Sequence, residues 1–370
     1  MARRRHLLLS RGLLVVSLGL LVIVGGLVTC LNSSPQPQAA GRPPVEEGAV
    51  TLLIQPEAGR KPLLAALEGA TCSIYLAVYL LTDPEIIQAL RAAAARGVAV
   101  WVMLEEAPYG AEEGNRAAAA ALEEAGVHFR WSSPAFNYLH QKSIVVDEEV
   151  AFILTHNLTR SAFSRNREYG VVTRNATHLG EILRVFQADW QREGCDLSQS
   201  VLYWAPDNSR DRLLQLIDQA QSRMDLQQSA MQDEEIISHL AAAARRGVQV
   251  RYLSTPSLPL ADDVNEPGRE QLRRAEVKVR YLSDPYIHAK AFVVDGRLGF
   301  VGSQNMTANS LDFNRELGIA FTDAEAVRLL ASQFTLDWRA SAMVDARRAT
   351  GFELQSRHLS FILRTLPATA

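Results

Sequence analysis

Residues 139–147 read LHQKSIVVD and residues 287–295 read IHAKAFVVD, so one short pattern is written twice, 148 positions apart. Outward from it, NREYG at 166–170 answers NRELG at 314–318, and FQADW at 186–190 answers FTLDW at 334–338, at the same shift. Nearer the N-terminus, EIIQALRAAAARGVAV at 85–100 answers EIISHLAAAARRGVQV at 235–250, at a shift of 150. A nearly constant offset of this size means two copies of one structural unit rather than a solenoid of short repeats.

Each copy alternates helical and strand signals. The Ala-rich amphipathic stretch Pro84–Arg96 predicts a helix, Gly97 caps it, and the apolar run Val98–Leu104 predicts a strand. CSIYLAVYLL, VAVWVMLE, VHFRW, SIVVD, VAFIL and YGVVT are short runs rich in β-branched and aromatic residues. The passage SIVVD-EE-VAFIL predicts an antiparallel hairpin. The expected architecture is α/β: two pseudo-symmetric repeats, roughly 49–200 and 201–370, each a mixed β-sheet flanked by helices.

Both copies carry His-x-Lys-x-x-x-x-Asp: His140, Lys142 and Asp147, then His288, Lys290 and Asp295. Side chains two apart on a strand share a face, which sets each histidine beside its lysine. Downstream, Gly302-Ser303-Gln304-Asn305 is answered by Leu154-Thr155-His156-Asn157, and Glu168 by Glu316. This set resembles the paired motifs of the phospholipase D superfamily, and the likeness runs over nearly everything after residue 48. It implies that the repeats face each other across one shared active-site cleft, one histidine forming a phosphohistidine while the other protonates the departing alcohol. Carried over by position, His140 is the nucleophile and His288 the acid. Lys142, Lys290, Asn157 and Asn305 clamp the phosphate, with Thr155 and Ser303 as further donors, and Glu168 and Glu316 hold the histidines. Asp147 and Asp295 belong to the motif's catalytic set, but they end their strands and are expected to brace the site rather than touch substrate. Leu154, where the pattern has glycine, is expected to alter the shape of one phosphate cradle.

The physical reading agrees with that chemistry. Phosphodiester cleavage needs a nucleophile, an acid and positive charge on the phosphoryl oxygens, and these residues supply all three with no metal or cofactor. His156, His178, His239 and His358 have no motif company and read as structural or surface residues. Trp190 and Trp338 read as packing anchors. Cys30, Cys72 and Cys195 lie too far apart for a zinc site, and a disulfide framework is not expected.

The 370 residues carry a net charge of −3, which gives no global case for a nucleic-acid partner. Lys and Arg gather in MARRR and at Arg11, ahead of an uncharged apolar run, Gly12–Leu31. Residues 1–31 therefore read as a single-pass membrane anchor with the remainder on the extracytoplasmic side, a cleaved signal or lipoprotein anchor being the alternatives. Residues 32–48 read as a linker. An anchor beside lipid head groups favours phospholipid as substrate. The expected function is hydrolysis or transfer of a phosphatidyl group, as in phospholipase D or cardiolipin synthase, and a metal-independent nuclease is the alternative.

Overall fold

The computed structural model describes residues 44–256 and 263–342. The expected anchor, most of the linker, Cys30 and His358 lie outside the described residues. Among the described residues no helix is long and apolar enough to cross a membrane.

The first repeat runs β1 (Thr51–Gln55), α1 (Lys61–Gly69), β2 (Ser73–Val78), α2 (Pro84–Ala95), β3 (Ala99–Leu104), α3 (Arg116–Glu124), β4 (His128–Trp131), β5 (Lys142–Val146), β6 (Val150–Leu154), α4 (Arg160–Ser164), β7 (Asn166–Thr173) and α5 (Ala176–Gln191). The second repeats that order as β8 (Tyr203–Ala205), α6 (Ser209–Asp218), β9 (Arg223–Gln228), α7 (Glu234–Arg245), β10 (Gln249–Ser254), α8 (Glu266–Arg274), β11 (Lys278–Tyr281), β12 (Tyr286–Ile287), β13 (Lys290–Val294), β14 (Leu298–Gly302), α9 (Ala308–Asp312), β15 (Glu316–Phe321) and α10 (Ala324–Ala340). The sheets are ordered β1-β7-β6-β5-β2-β3-β4 and β11-β10-β9-β13-β14-β15-β8. In the first, β2, β3 and β4 are parallel while β5 and β6 form the expected hairpin, so the sheet is mixed.

Local sequence explains the punctuation. Asp83 accepts from the N–H groups of Glu85 and Ile86 to start α2, and Asp233 accepts from Ile236 to start α7. Gly97 and Gly247 follow these helices at φ of +91° and +94°, a conformation open to glycine at little cost. One apolar face of each sheet is covered by its own helices. The other faces meet in a shared core in which Val145, Ile153 and Val171 of the first repeat join Ala291, Val301 and Ile319 of the second.

Strand pairing and ion pairs also cross between the repeats. β12 pairs with β7, placing Ile287 beside Arg167, and Leu139 bridges to Arg315 in the symmetry-equivalent place. The nearly buried Arg167 donates to Asp337 at 2.8 Å, and Arg315 donates to Asp189 at 2.9 Å. These are the arginines of NRE and the aspartates of DW in the opposite copy. Trp190 and Trp338 beside them pack on Phe186 and Phe334. The end of the linker is pinned rather than free: Glu46 is bridged to Phe321, and its carboxylate meets His178 at 3.0 Å.

Removing one partner of a buried ion pair leaves an uncompensated charge. Asp189→Ala should lower unfolding stability in chemical denaturation by at most about 3–5 kcal/mol, since Arg315 keeps its half-exposed partner Asp207. Glu325→Ala, at the exposed pair with Arg328, should leave the denaturation midpoint essentially unchanged.

Candidate active site

The two His-x-Lys segments lie where the repeats cross. Lys142 and Lys290 open β5 and β13, and each histidine stands just before its strand, held by the backbone of the other repeat. The Arg315 carbonyl accepts from the N–H of His140 at 2.9 Å and of Gln141 at 2.7 Å, and the Arg167 carbonyl accepts from His288 at 3.3 Å. The residue after each arginine is the motif glutamate. His140 Nδ1 therefore meets Glu316, at 2.8 and 2.9 Å from its two oxygens, and His288 Nδ1 meets Glu168 at 2.6 Å. Each imidazole is held at Nδ1 by the carboxylate of the opposite copy; His140 Nε2 is left for chemistry, and His288 Nε2 lies 3.3 Å from Lys290 Nζ.

The hydroxyls expected to bind phosphate have another partner. Thr155 Oγ1 donates to Glu168 at 2.6 Å, and Ser303 Oγ donates to Glu316 at 2.5 Å. Both hydroxyls also accept a backbone N–H, from Tyr169 and Leu317. Their single proton is spent on the glutamates, so they orient the carboxylates instead of donating to substrate. Ser310 and Asn314, not singled out in the sequence, add donors to Glu316. Asn305 accepts from Ser229 at 2.9 Å through Oδ1, and the Oδ1 of Asn157 is buried without a protein partner.

Asp147 and Asp295 stand at the far ends of β5 and β13, about 16 Å along the strand from the lysines. Asp147 accepts the backbone N–H groups of Thr71, Cys72 and Ser73, and Asp295 those of Gln221, Ser222 and Arg223. Despite the desolvation that works against it, these donors hold both carboxyls below the usual range. The aspartates therefore fix the turn into β2 and β9, as braces at the strand ends away from the histidines. Leu154 also acts away from the cleft. It is buried in the outer core against Gly170, on the strand face opposite Thr155, and the Thr155–Glu168 bond matches Ser303–Glu316 in length.

Of the four histidines set aside, His156 is buried against Phe163, His178 is the buried partner of Glu46, and His239 pairs at the surface with Asp218. Sequence reading missed Tyr79. Its ring lies edge-on to His140 at 4.9 Å, with the Lys142 ammonium 5.4 Å from its centroid.

Burial and mutual repulsion set the protonation of these groups. Burial pushes His140 down to about 4 despite Glu316, with both lysines adding to the effect, and lowers His288 likewise. Burial also takes Lys142 down to about 7 and Lys290 to about 8. Glu168 is held down to about 2: its desolvation is outweighed by His288 and Lys290. A bound phosphodiester adds negative charge to this cluster and favours the protonated forms of all four bases.

The chain matches the family described as "Cardiolipin synthase, PLD-like domain" at residues 63–190 and 213–338, one match for each repeat. It belongs to the phospholipase D superfamily. Among its superfamily relatives, the cardiolipin synthase of Geobacillus kaustophilus is 26% identical over 352 residues, covering 82% of this chain and 69% of that protein. The probable cardiolipin synthase of Bacillus subtilis is 27% identical over 233 residues, covering 55% of this chain and 46% of that one. The matched stretch thus spans about half of the latter relative's length. The phosphatidylserine synthase of Haemophilus influenzae has the same fold, with a TM-score of 0.61 at 13% identity over 85% of this chain and 93% of that one.

Two predictions test this geometry. With His140 as the attacking group and His288 as the acid, kcat/KM should rise as pH passes about 4, decline first as pH rises through the value of His288, which burial holds below 6.5, and decline further as Lys142 and Lys290 lose their protons at about 7 and about 8. The alkaline limb of kcat should lie higher, since bound substrate raises the same groups. A pH series from 4 to 9 reads both. The crossed pairing predicts that Glu316→Gln impairs attack by His140 on every substrate, by about 10- to 100-fold. Glu168→Gln should impair only protonation by His288, so a nitrophenyl ester, whose leaving group needs no acid, should restore most of its rate. The same loss on both esters for both variants would contradict the crossed assignment.

Proposed function

We propose that this protein is a phosphatidyltransferase of the cardiolipin-synthase type, moving a phosphatidyl group from a glycerophospholipid to an alcohol through a phosphohistidine. The carrying observation is the pair of histidines with Nδ1 engaged by a buried carboxylate, next to two buried lysines. His140 Nε2 attacks phosphorus, the bond to the head-group oxygen breaks, and His288 gives that oxygen its proton. An acceptor alcohol then gives its proton to His288 and attacks phosphorus, and the phosphorus–nitrogen bond breaks to restore His140. Lys142, Lys290, Asn157 and Asn305 steady the phosphoryl oxygens in both steps. His288 is the more open of the two, with 30% of its side chain exposed against 11% for His140. That suits a group exchanging protons with an alcohol that leaves and another that enters.

Sequence reading placed hydrolysis first. The relatives named as cardiolipin synthases favour transfer, with hydrolysis as the same second step carried out by water. The surroundings of the cleft favour lipid over nucleic acid. Ser132–Gln141, leading to His140, contains no charged residue save the histidine itself, and the neighbouring loops expose Glu106, Glu112, Glu113 and Asp284 against Arg165. A nucleic-acid groove needs rows of Lys and Arg.

The test is incubation of purified protein with phosphatidylglycerol in EDTA. Cardiolipin and glycerol should appear in equal amounts, and quenched enzyme should carry a phosphatidyl group on His140. His140→Asn should form no adduct, whereas His288→Asn should still react with a nitrophenyl ester. Phosphatidic acid as the only lipid product would replace transfer with hydrolysis, and activity that requires an added divalent ion would overturn the mechanism.

A further inference from the structure

The repeats are symmetric in backbone but not in the walls beside their histidines. On the His140 side, Tyr79 lies edge-on to the imidazole and to Tyr138, its hydroxyl accepts the Tyr109 N–H at 2.6 Å, and the Phe313 carbonyl accepts the Asn137 N–H at 2.9 Å. These contacts join Tyr109, Tyr79, Tyr138 and Phe313 into one aromatic lip. Tyr109 is 83% exposed and Phe313 54%.

On the His288 side the equivalent of Tyr79 is Ser229, whose N–H donates to Ala289 O and whose hydroxyl donates to Asn305. The equivalent of Phe313 is the exposed Arg165, whose carbonyl accepts from Tyr286 at 3.3 Å. Among the described residues Ser229, Asn305 and Arg165 make that lip polar, with Tyr286 its one aromatic ring. Water is a poor neighbour for large exposed rings, and aromatic side chains favour the boundary between apolar and aqueous phases.

We propose that the aromatic lip seats the acylglycerol part of a phospholipid still held in a bilayer surface, and that the Ser229–Asn305–Arg165 lip receives the head-group alcohol. This rests on the phosphatidyl-transfer reading. In-line attack by His140 drives the leaving oxygen toward the opposite histidine, onto the polar side where acid and hydroxyl partners stand. The acylglycerol is the part that stays on phosphorus during transfer, and its chains need an apolar exit. The uncharged approach to His140 supplies one, with Tyr109 and Phe313 at its outer edge.

The test uses the chain without residues 1–31, because the expected anchor would hold every variant on vesicles, and carries Tyr109→Ser and Phe313→Ser together; both side chains are exposed and the described core begins at Val45, so the fold is retained. Co-sedimentation with vesicles of equal phosphatidylglycerol and phosphatidylcholine should weaken by about tenfold or more. KM for vesicle phosphatidylglycerol should rise in step, while turnover of water-soluble dihexanoyl phosphatidylglycerol stays within about twofold. Leu336→Ser, an exposed apolar residue on α10, should change neither measurement, and Tyr286→Ser should leave vesicle binding within about twofold. Equal loss on vesicle and soluble substrates, unchanged vesicle binding, or equal weakening by Tyr286→Ser would overturn the proposal. If the double variant loses vesicle binding while wild-type protein transfers no phosphatidyl group, the docking lip stands and the catalytic reading falls.

Discussion

The exchange of a carboxylate for an imidazole across the repeat boundary is the constraint on which the rest of this structure depends. Glu168 and Glu316 are almost wholly buried, and a buried carboxylate persists only where donors compensate its lost hydration. Each has a hydroxyl from its own repeat and a histidine from the other. A single repeat would leave both a carboxylate and a histidine without a partner. The interface is thus the catalytic centre itself, and the neighbouring residues reinforce it. In each NRE segment the arginine side chain reaches an aspartate of the opposite repeat, its carbonyl holds the opposite histidine's backbone, and the glutamate holds that histidine's ring. Three consecutive bonding functions on one strand fix the position of a residue on the other.

The charge balance follows from the same burial. Two lysines and two histidines share a desolvated cleft with two carboxylates, and burial depresses the lysines by more than Glu168 and Glu316 raise them. On the proposed reading a phosphodiester adds further negative charge. The site's attraction for anions is then realised most strongly where negative charge grows on phosphorus-bound oxygens, which is the condition for stabilising a transition state rather than only binding a ligand.

Much of this was legible in the sequence, for identifiable reasons. Period-two spacing put each His beside its Lys, and glycine after an Ala-rich helix marked where a strand begins. The constant offset announced the duplication. What sequence spacing lacks is the partner across a strand boundary. Glu168 follows His140 in the chain and serves His288, because β12 pairs with β7, a contact between segments 120 residues apart. The same blindness hid the arginines and aspartates of NRE and DW, although both copies retained them. It also assigned Thr155 and Ser303 to phosphate, since a hydroxyl near a motif does not reveal which acceptor takes its proton. Asp147 and Asp295 sit in the motif for a structural reason: a carboxylate at the strand end ties down the three amides that begin the adjacent strand.

Duplication also explains how such a site can be unequal. A two-step transfer needs one histidine to bond phosphorus and the other to move protons, so identical surroundings would favour neither assignment. The exchanged glutamates and lysines are common to both copies and give each histidine the same basic competence. The differences beside the histidines fall on residues outside the crossed bonds: Tyr79 against Ser229, and Phe313 against Arg165. Such positions can diverge without disturbing those bonds, because their side chains take no part in them. An aromatic wall beside His140 reduces its access to water and favours the neutral ring, while a serine beside the more open His288 leaves room for an alcohol and its proton. On the proposed reading, the symmetric part of the fold builds the phosphate-binding machinery, and the asymmetric part decides in which direction it is used.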